Sequence, residues 1–181
     1  MLASLRFRQQ AGLDDCQGKD RLQEIDGYEV LGLGLYFEDL PLGRKFRTIG
    51  RTLTEADLVA FIGVTGMTEV LFSNLEFLRH ESDIKQRVVP AAMVYSFAEG
   101  LLVHATMQHT GFAFLHMELN VEGPTFAGDT IHVECEVVES RRSASRPTRG
   151  LVRTRNRVVQ QDGRLLLTYT PLRMVKAHAE G

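Results

Sequence analysis

Tryptophan is missing from these 181 residues, and cysteine occurs only twice, as Cys16 and Cys135. Two cysteines are too few for a disulfide framework, and their separation fits no zinc-type spacing. That scarcity predicts a reduced, cytoplasmic setting and no bound metal. An excess of either charge is lacking too: 21 basic residues stand against 23 acidic ones, a net charge of -2. Such a balance argues against a nucleic-acid binder that relies on general electrostatic attraction.

Longer signals are also missing. Residues 1–17 break their apolar character at Arg6 and Arg8, so no secretory signal is expected. Only residues 88–107 approach the length of a membrane span, and they carry Glu99 near the middle, Pro90 near the start and His104 near the end. An ionised Glu is costly in lipid, which predicts a helix buried in a protein core and no membrane partner. No G-x-S-x-G is present to support a nucleophilic serine, and Gly32 and Gly34 have the wrong spacing for a dinucleotide loop.

What is present is 44% hydrophobic residues, enough for one sizeable core. Residues 1–34 show no sustained period and are expected to form an extension, disordered or draped on a single domain spanning 35–181. Pro41-Leu42-Gly43 turns the chain into a first strand over 45–51. Thr54-Glu55-Ala56-Asp57 reads as a capping box, and Leu58, Phe61 and Ile62 follow at helical spacing to about Val64. Residues 65–87 are expected to loop with one short helical turn. Pro90 then opens a long apolar helix to about Gln108.

Beyond it the period changes to two. One strand is expected over 113–121 and another over 130–140, where Ile131, Val133, Cys135 and Val137 face one way and His132, Glu134 and Glu136 the other. Strands over 151–160 and 164–175 are joined by Gln161-Asp162-Gly163, a hairpin signal. A long apolar helix followed by a meander buries both apolar faces only if the sheet wraps the helix. The expected class is α+β, an antiparallel sheet around one central helix.

The segment Pro124-Thr125-Phe126-Ala127-Gly128-Asp129-Thr130, followed by an alternating strand, resembles MaoC-like enoyl-CoA hydratases of the hot-dog superfamily. The helix opening Val89-Pro90-Ala91-Ala92-Met93 and the stretch 36–66 are similar in order and position, so the resemblance covers residues 36–175. It implies a hot-dog fold, an acyl- or enoyl-CoA thioester as substrate, and coenzyme A entering with that substrate instead of a permanently bound cofactor. It also implies a Gly followed by an Asp and, five residues later, a His. Counted from Gly66, those two positions hold Met67 and Phe72, while Glu69 and Val70 replace an Asn and a Pro. A thioether and a phenyl ring move no protons.

Glu69 is therefore the candidate catalytic residue, its plainer reading being a surface carboxylate. Met67, Phe72, Asn74, Ala91, Ala92 and Ser96 are candidate substrate contacts. Ala91 stands where such enzymes present a Gly N–H to the thioester oxygen. Asn74 also reads as a turn residue, and Glu99 as a buried carboxylate paired with an Arg. Arg153, Arg155 and Arg157 alternate along one strand, either as contacts to coenzyme A phosphates or as a solvated outer sheet face. The leading expectation is a hydratase or dehydratase with an atypical site. The alternatives are a non-catalytic binder of acyl-CoA or acyl-carrier thioesters, and a hot-dog thioesterase using Glu69 or Glu99. An open sheet edge predicts a homodimer.

Overall fold

A computed structural model describes residues 24–178, and the chain separates into two units, residues 1–31 and 32–181. Most of the expected extension, residues 1–23, lies outside the described residues. What is described of the first unit is a small hairpin of β1 (Glu24–Ile25) and β2 (Tyr28–Glu29). Its turn holds Asp26 and Gly27 at φ 54 and 82, the left-handed pair that tight hairpins require.

The second unit begins with a 3-10 turn, Phe37–Asp39, and then β3 (Lys45–Arg47) and β4 (Arg51–Thr52). The single strand expected over 45–51 is broken at Thr48. There the hydroxyl of Thr48, not a main-chain carbonyl, accepts the Val133 N–H at 3.0 Å. Helix α1 (Glu55–Thr65) starts on the expected capping box: Thr54 Oγ1 accepts from Asp57 N, and Asp57 accepts from Thr54 N. Gly66, at φ 71, ends it. The expected loop contains two short helices, α2 (Val70–Ser73) and α3 (Leu75–His80), each started by a side-chain cap that a hydrophobicity pattern does not register.

Helix α4 (Ala91–Thr106) follows Pro90. The strands after it are β5 (Gly111–His116), β6 (Leu119–Val121), β7 (Thr130–Arg142), β8 (Arg149–Gln160), β9 (Leu165–Tyr169) and β10 (Leu172–Lys176). Both single strands expected over 113–121 and 164–175 are each split in two. Pro171 has no N–H to give the ladder, and Thr170 N bonds instead to Glu118 O in the opposite break. The sheet runs β3-β7-β8-β10-β5, with β4 beside β7 and β9 bridging β8 and β6. All these pairs are antiparallel.

The sheet wraps α4. Met93, Val94, Ala98 and Leu102 pack into one cluster with Ile131, Val133, Cys135, Val158, Leu167 and Tyr169. Each fully buried aliphatic side chain there contributes about 1.5–3 kcal/mol. The expected facing of β7 holds, with Ile131, Val133, Cys135 and Val137 buried. Among the described residues, no helix is long and apolar enough to cross a membrane.

Candidate functional site

Helix α4 starts without a side-chain cap, because Pro90 occupies the N-cap and has no acceptor to offer. The first-turn N–H groups of Ala91 and Ala92 are thus left to other partners, at the positive end of a 16-residue helix. A cleft of about 200 Å³ opens beside Ala91, lined by Leu71, Phe72, Val88, Val89, Pro90, Val121, Gly123, Pro124, Thr125 and Leu167. Of the residues singled out in the sequence, Phe72 and Ala91 meet in this cleft. Both are half-buried and pack on the core.

The other candidates stand elsewhere. Glu69 is exposed and caps α2, its Oε2 accepting the Leu71 N–H at 2.7 Å. Asn74 is exposed and caps α3, its Oδ1 accepting from Glu76 N at 3.0 Å and Phe77 N at 3.1 Å. Met67 is half-buried but does not line the cleft. Ala92 and Ser96 lie one turn apart on the exposed side of α4, and Ser96 Oγ donates to Ala92 O at 2.8 Å.

Arg153, Arg155 and Arg157 are on the face of β8 opposite the buried Thr154, Asn156 and Val158. Each pairs with a β7 glutamate brought opposite by the strand register: Arg153 with Glu139 at 3.2 Å, Arg155 with Glu136 at 3.4 Å, Arg157 with Glu134 at 2.7 Å. The ladder is an outer sheet face, away from Ala91. Such exposed pairs are worth little individually.

Glu99 has the arginine partner that a buried carboxylate needs. Both its oxygens accept from one Arg173 nitrogen at 2.6 Å, and the side chains are 15% and 9% exposed. One turn toward the cleft, Tyr95 meets Tyr169 edge-on at 5.3 Å. Burial, and then the nearby Glu99 carboxylate, push the Tyr169 hydroxyl above its ordinary range, and Tyr95 shifts the same way for the same causes. Burial pushes the Cys135 thiol up to about 12. These groups hold their protons and supply no nucleophile. Pattern reading of the sequence missed Thr125, Val121 and Leu167 as cleft residues and Arg173 as the partner, since strand pairing alone brings them in. Among the described residues, no group of three or more His, Cys, Asp or Glu side chains could hold a metal.

No protein-family model matches the chain, and no curated protein does. Solved structures do. A MaoC-like dehydratase from Rhodospirillum rubrum superposes with a TM-score of 0.72 at 26% identity, covering 81% of this chain and 100% of that one. The chain has the hot-dog fold of MaoC-like proteins. An R-hydratase from Pseudomonas aeruginosa, in its unliganded form, shares that fold with a TM-score of 0.67 at 20% identity, over 80% of this chain and 88% of that chain. A Mycobacterium tuberculosis protein described as a double hot dog aligns with a TM-score of 0.73 at 24% identity. The match covers 82% of this chain but 46% of that one, so this hot-dog unit spans about half of that protein.

Proposed function

We propose that this hot-dog protein acts on acyl or enoyl thioesters as a MaoC-like hydratase or dehydratase with a rebuilt proton-transfer step. The observation that carries this reading is the apolar cleft at the uncapped start of α4. The thioester oxygen accepts from Ala91 N–H, where the helix end favours developing negative charge. The acyl chain lies against Phe72, Val89 and Leu167. Glu69 releases the Leu71 N–H and takes a proton from water as the water oxygen bonds to the β-carbon. The α-carbon then receives that proton, so one water is added and nothing else changes.

A second reading, binding without turnover, is favoured by the lining itself: no cleft residue is ionisable. Hydration of crotonyl-CoA by wild type and by Glu69→Gln separates the two. The hydratase reading expects at least about a 10²-fold loss of kcat with KM little changed. Full activity in Glu69→Gln excludes Glu69 as the base, and a wild type that binds without turnover establishes the second reading.

We also infer a homodimer. β5 ends the sheet, paired only with β10, and exposes Phe112, Phe114 and Leu115 at 44%, 47% and 48%. An apolar edge of this kind calls for a partner strand. The double hot-dog neighbour supports pairing of two such units.

A further inference from the structure

The cleft ends where a short ribbon begins. Residues 86–91 and 121–127 run side by side, joined by the Val88–Phe126 bridge, by Val89 N to Thr125 O at 2.8 Å and by Ala127 N to Arg87 O at 3.0 Å. At one end of this ribbon lies the apolar cleft beside Ala91. At the other lies a polar pocket of about 590 Å³ that contains Arg87 and Arg164. We propose that this pocket is the phosphate subsite for the carrier of the thioester, the phosphopantetheine arm shared by coenzyme A and acyl carrier proteins; the proposal rests on the acyl-thioester reading above.

Arg87 is the stronger of the two arguments. Its Nε is buried and has no hydrogen-bond partner among the described residues. Its one ion-pair contact is Glu55 at 3.7 Å, and that carboxylate is 58% exposed. A mostly buried guanidinium with an unmet donor requires an acceptor, and a phosphate oxygen is the best match for its planar fork.

Arg164 is held in place for the same task. Its Nε donates to Gln160 Oε1 at 2.8 Å, its guanidinium lies 6.0 Å from the Phe126 ring, and the side chain lines the pocket. The carboxylate present, Asp129, is already engaged: Oδ2 accepts from Phe126 N at 2.9 Å and Oδ1 from Gln160 Nε2, with Arg164 at 3.9 Å. Two cations therefore face the pocket and the one buried anion serves the turn. By contrast, Arg153, Arg155 and Arg157 already pair with glutamates.

The test measures affinity of the full chain for crotonyl-CoA, crotonyl-phosphopantetheine and crotonyl-pantetheine, which lacks phosphate. Wild type is expected to bind the first two at least about tenfold more tightly than the third. Arg87→Gln and Arg164→Gln should each remove much of that advantage while leaving crotonyl-pantetheine unchanged, and raised salt should do the same. Loss with both phosphorylated probes assigns the pocket to the arm's own phosphate. Loss confined to crotonyl-CoA assigns it to the nucleotide phosphates, and either result supports the subsite. Unchanged affinity in both variants, or an equal loss for crotonyl-pantetheine, overturns it. If wild type binds none of the three, the acyl-thioester reading fails and the subsite falls with it.

Discussion

Removing Arg173 should be one of the most damaging single changes in the chain. In Arg173→Met the aliphatic stem is kept, but Glu99, on α4 with a side chain 15% exposed, is left with both carboxylate oxygens deprived of their donor. Breaking a buried pair by deleting one partner typically costs about 3–5 kcal/mol, because the surviving charge is uncompensated. For a unit of this size, each kcal/mol lowers the melting temperature by about 2–4 °C. A fall of roughly 10 °C follows. Glu99→Leu should be comparably harmful, since it strands the Arg173 guanidinium instead. The double variant is the informative one: with both charges gone the site is apolar, and most of the loss should be recovered. Thermal and urea unfolding of all four proteins gives the coupling energy. If either single variant costs less than about 1 kcal/mol, or the double variant is no better than the worse single, the pair is not a desolvated couple and the reasoning fails.

Two further outcomes test the edges of the fold. A Cβ at Gly34 would meet Thr106 O at 2.5 Å and Gln108 N at 2.7 Å, which are backbone atoms at the end of α4. Gly34→Ala should therefore cost about 1–3 kcal/mol, and a chain begun at Gly32 should melt as the full chain does, whereas one begun at Tyr36 should melt lower; calorimetry that finds all of them alike would falsify this. At α1, bonds to the Thr54 hydroxyl and backbone hold Asp57 below the usual carboxylate range. A depressed folded pKa adds stability that is complete above the ordinary Asp range and lost as pH falls through the folded value. Thr54→Ala should cost about 1 kcal/mol at neutral pH, with the gap to wild type narrowing as pH falls below the ordinary Asp range, as read from urea midpoints; a gap that does not change with pH removes Asp57 from the account.

Local chemistry was readable where one short segment decides the outcome. The capping box at Thr54, the Gly66 stop, the start of α4 after Pro90 and the inward set of Ile131, Val133, Cys135 and Val137 all follow from spacing within a single element. Strand breaks were not readable, because they depend on what lies opposite: the Thr48 hydroxyl takes the Val133 N–H that a main-chain carbonyl would accept, and Thr170 bonds to Glu118 across the Pro171 break. The same limit applies to the site. Glu99 announced a need for an arginine, but only the β10 register selects Arg173 from the many available. Alternation placed Arg153, Arg155 and Arg157 on one face; the β7 register then supplied each with a glutamate. The sequence places Glu69 and Asn74 on a loop, as candidates for the site or as a surface carboxylate and a turn residue, and both cap helices that their own side chains help to start.

The two halves of the candidate site are exposed to sequence change in different ways. The half proposed to bind the thioester oxygen is made of backbone: an N–H at the first turn of a 16-residue helix that the core cluster holds in place. Substituting Ala91 leaves that N–H where it is, provided the new side chain accepts helical angles, so this half lasts as long as the fold does. The half proposed to transfer protons would be made of side chains on the stretch from the end of α1 through α2, where Met67 and Phe72 stand at the positions that the resemblance assigns to an Asp and a His. Those positions are not needed to close the core, and Phe72 even adds apolar contact to it. On the proposed reading a hot-dog unit keeps its grip on a thioester without that Asp and His, and the recruitment of Glu69 would require that one exposed carboxylate give up a helix cap worth about 1 kcal/mol and turn into the cleft.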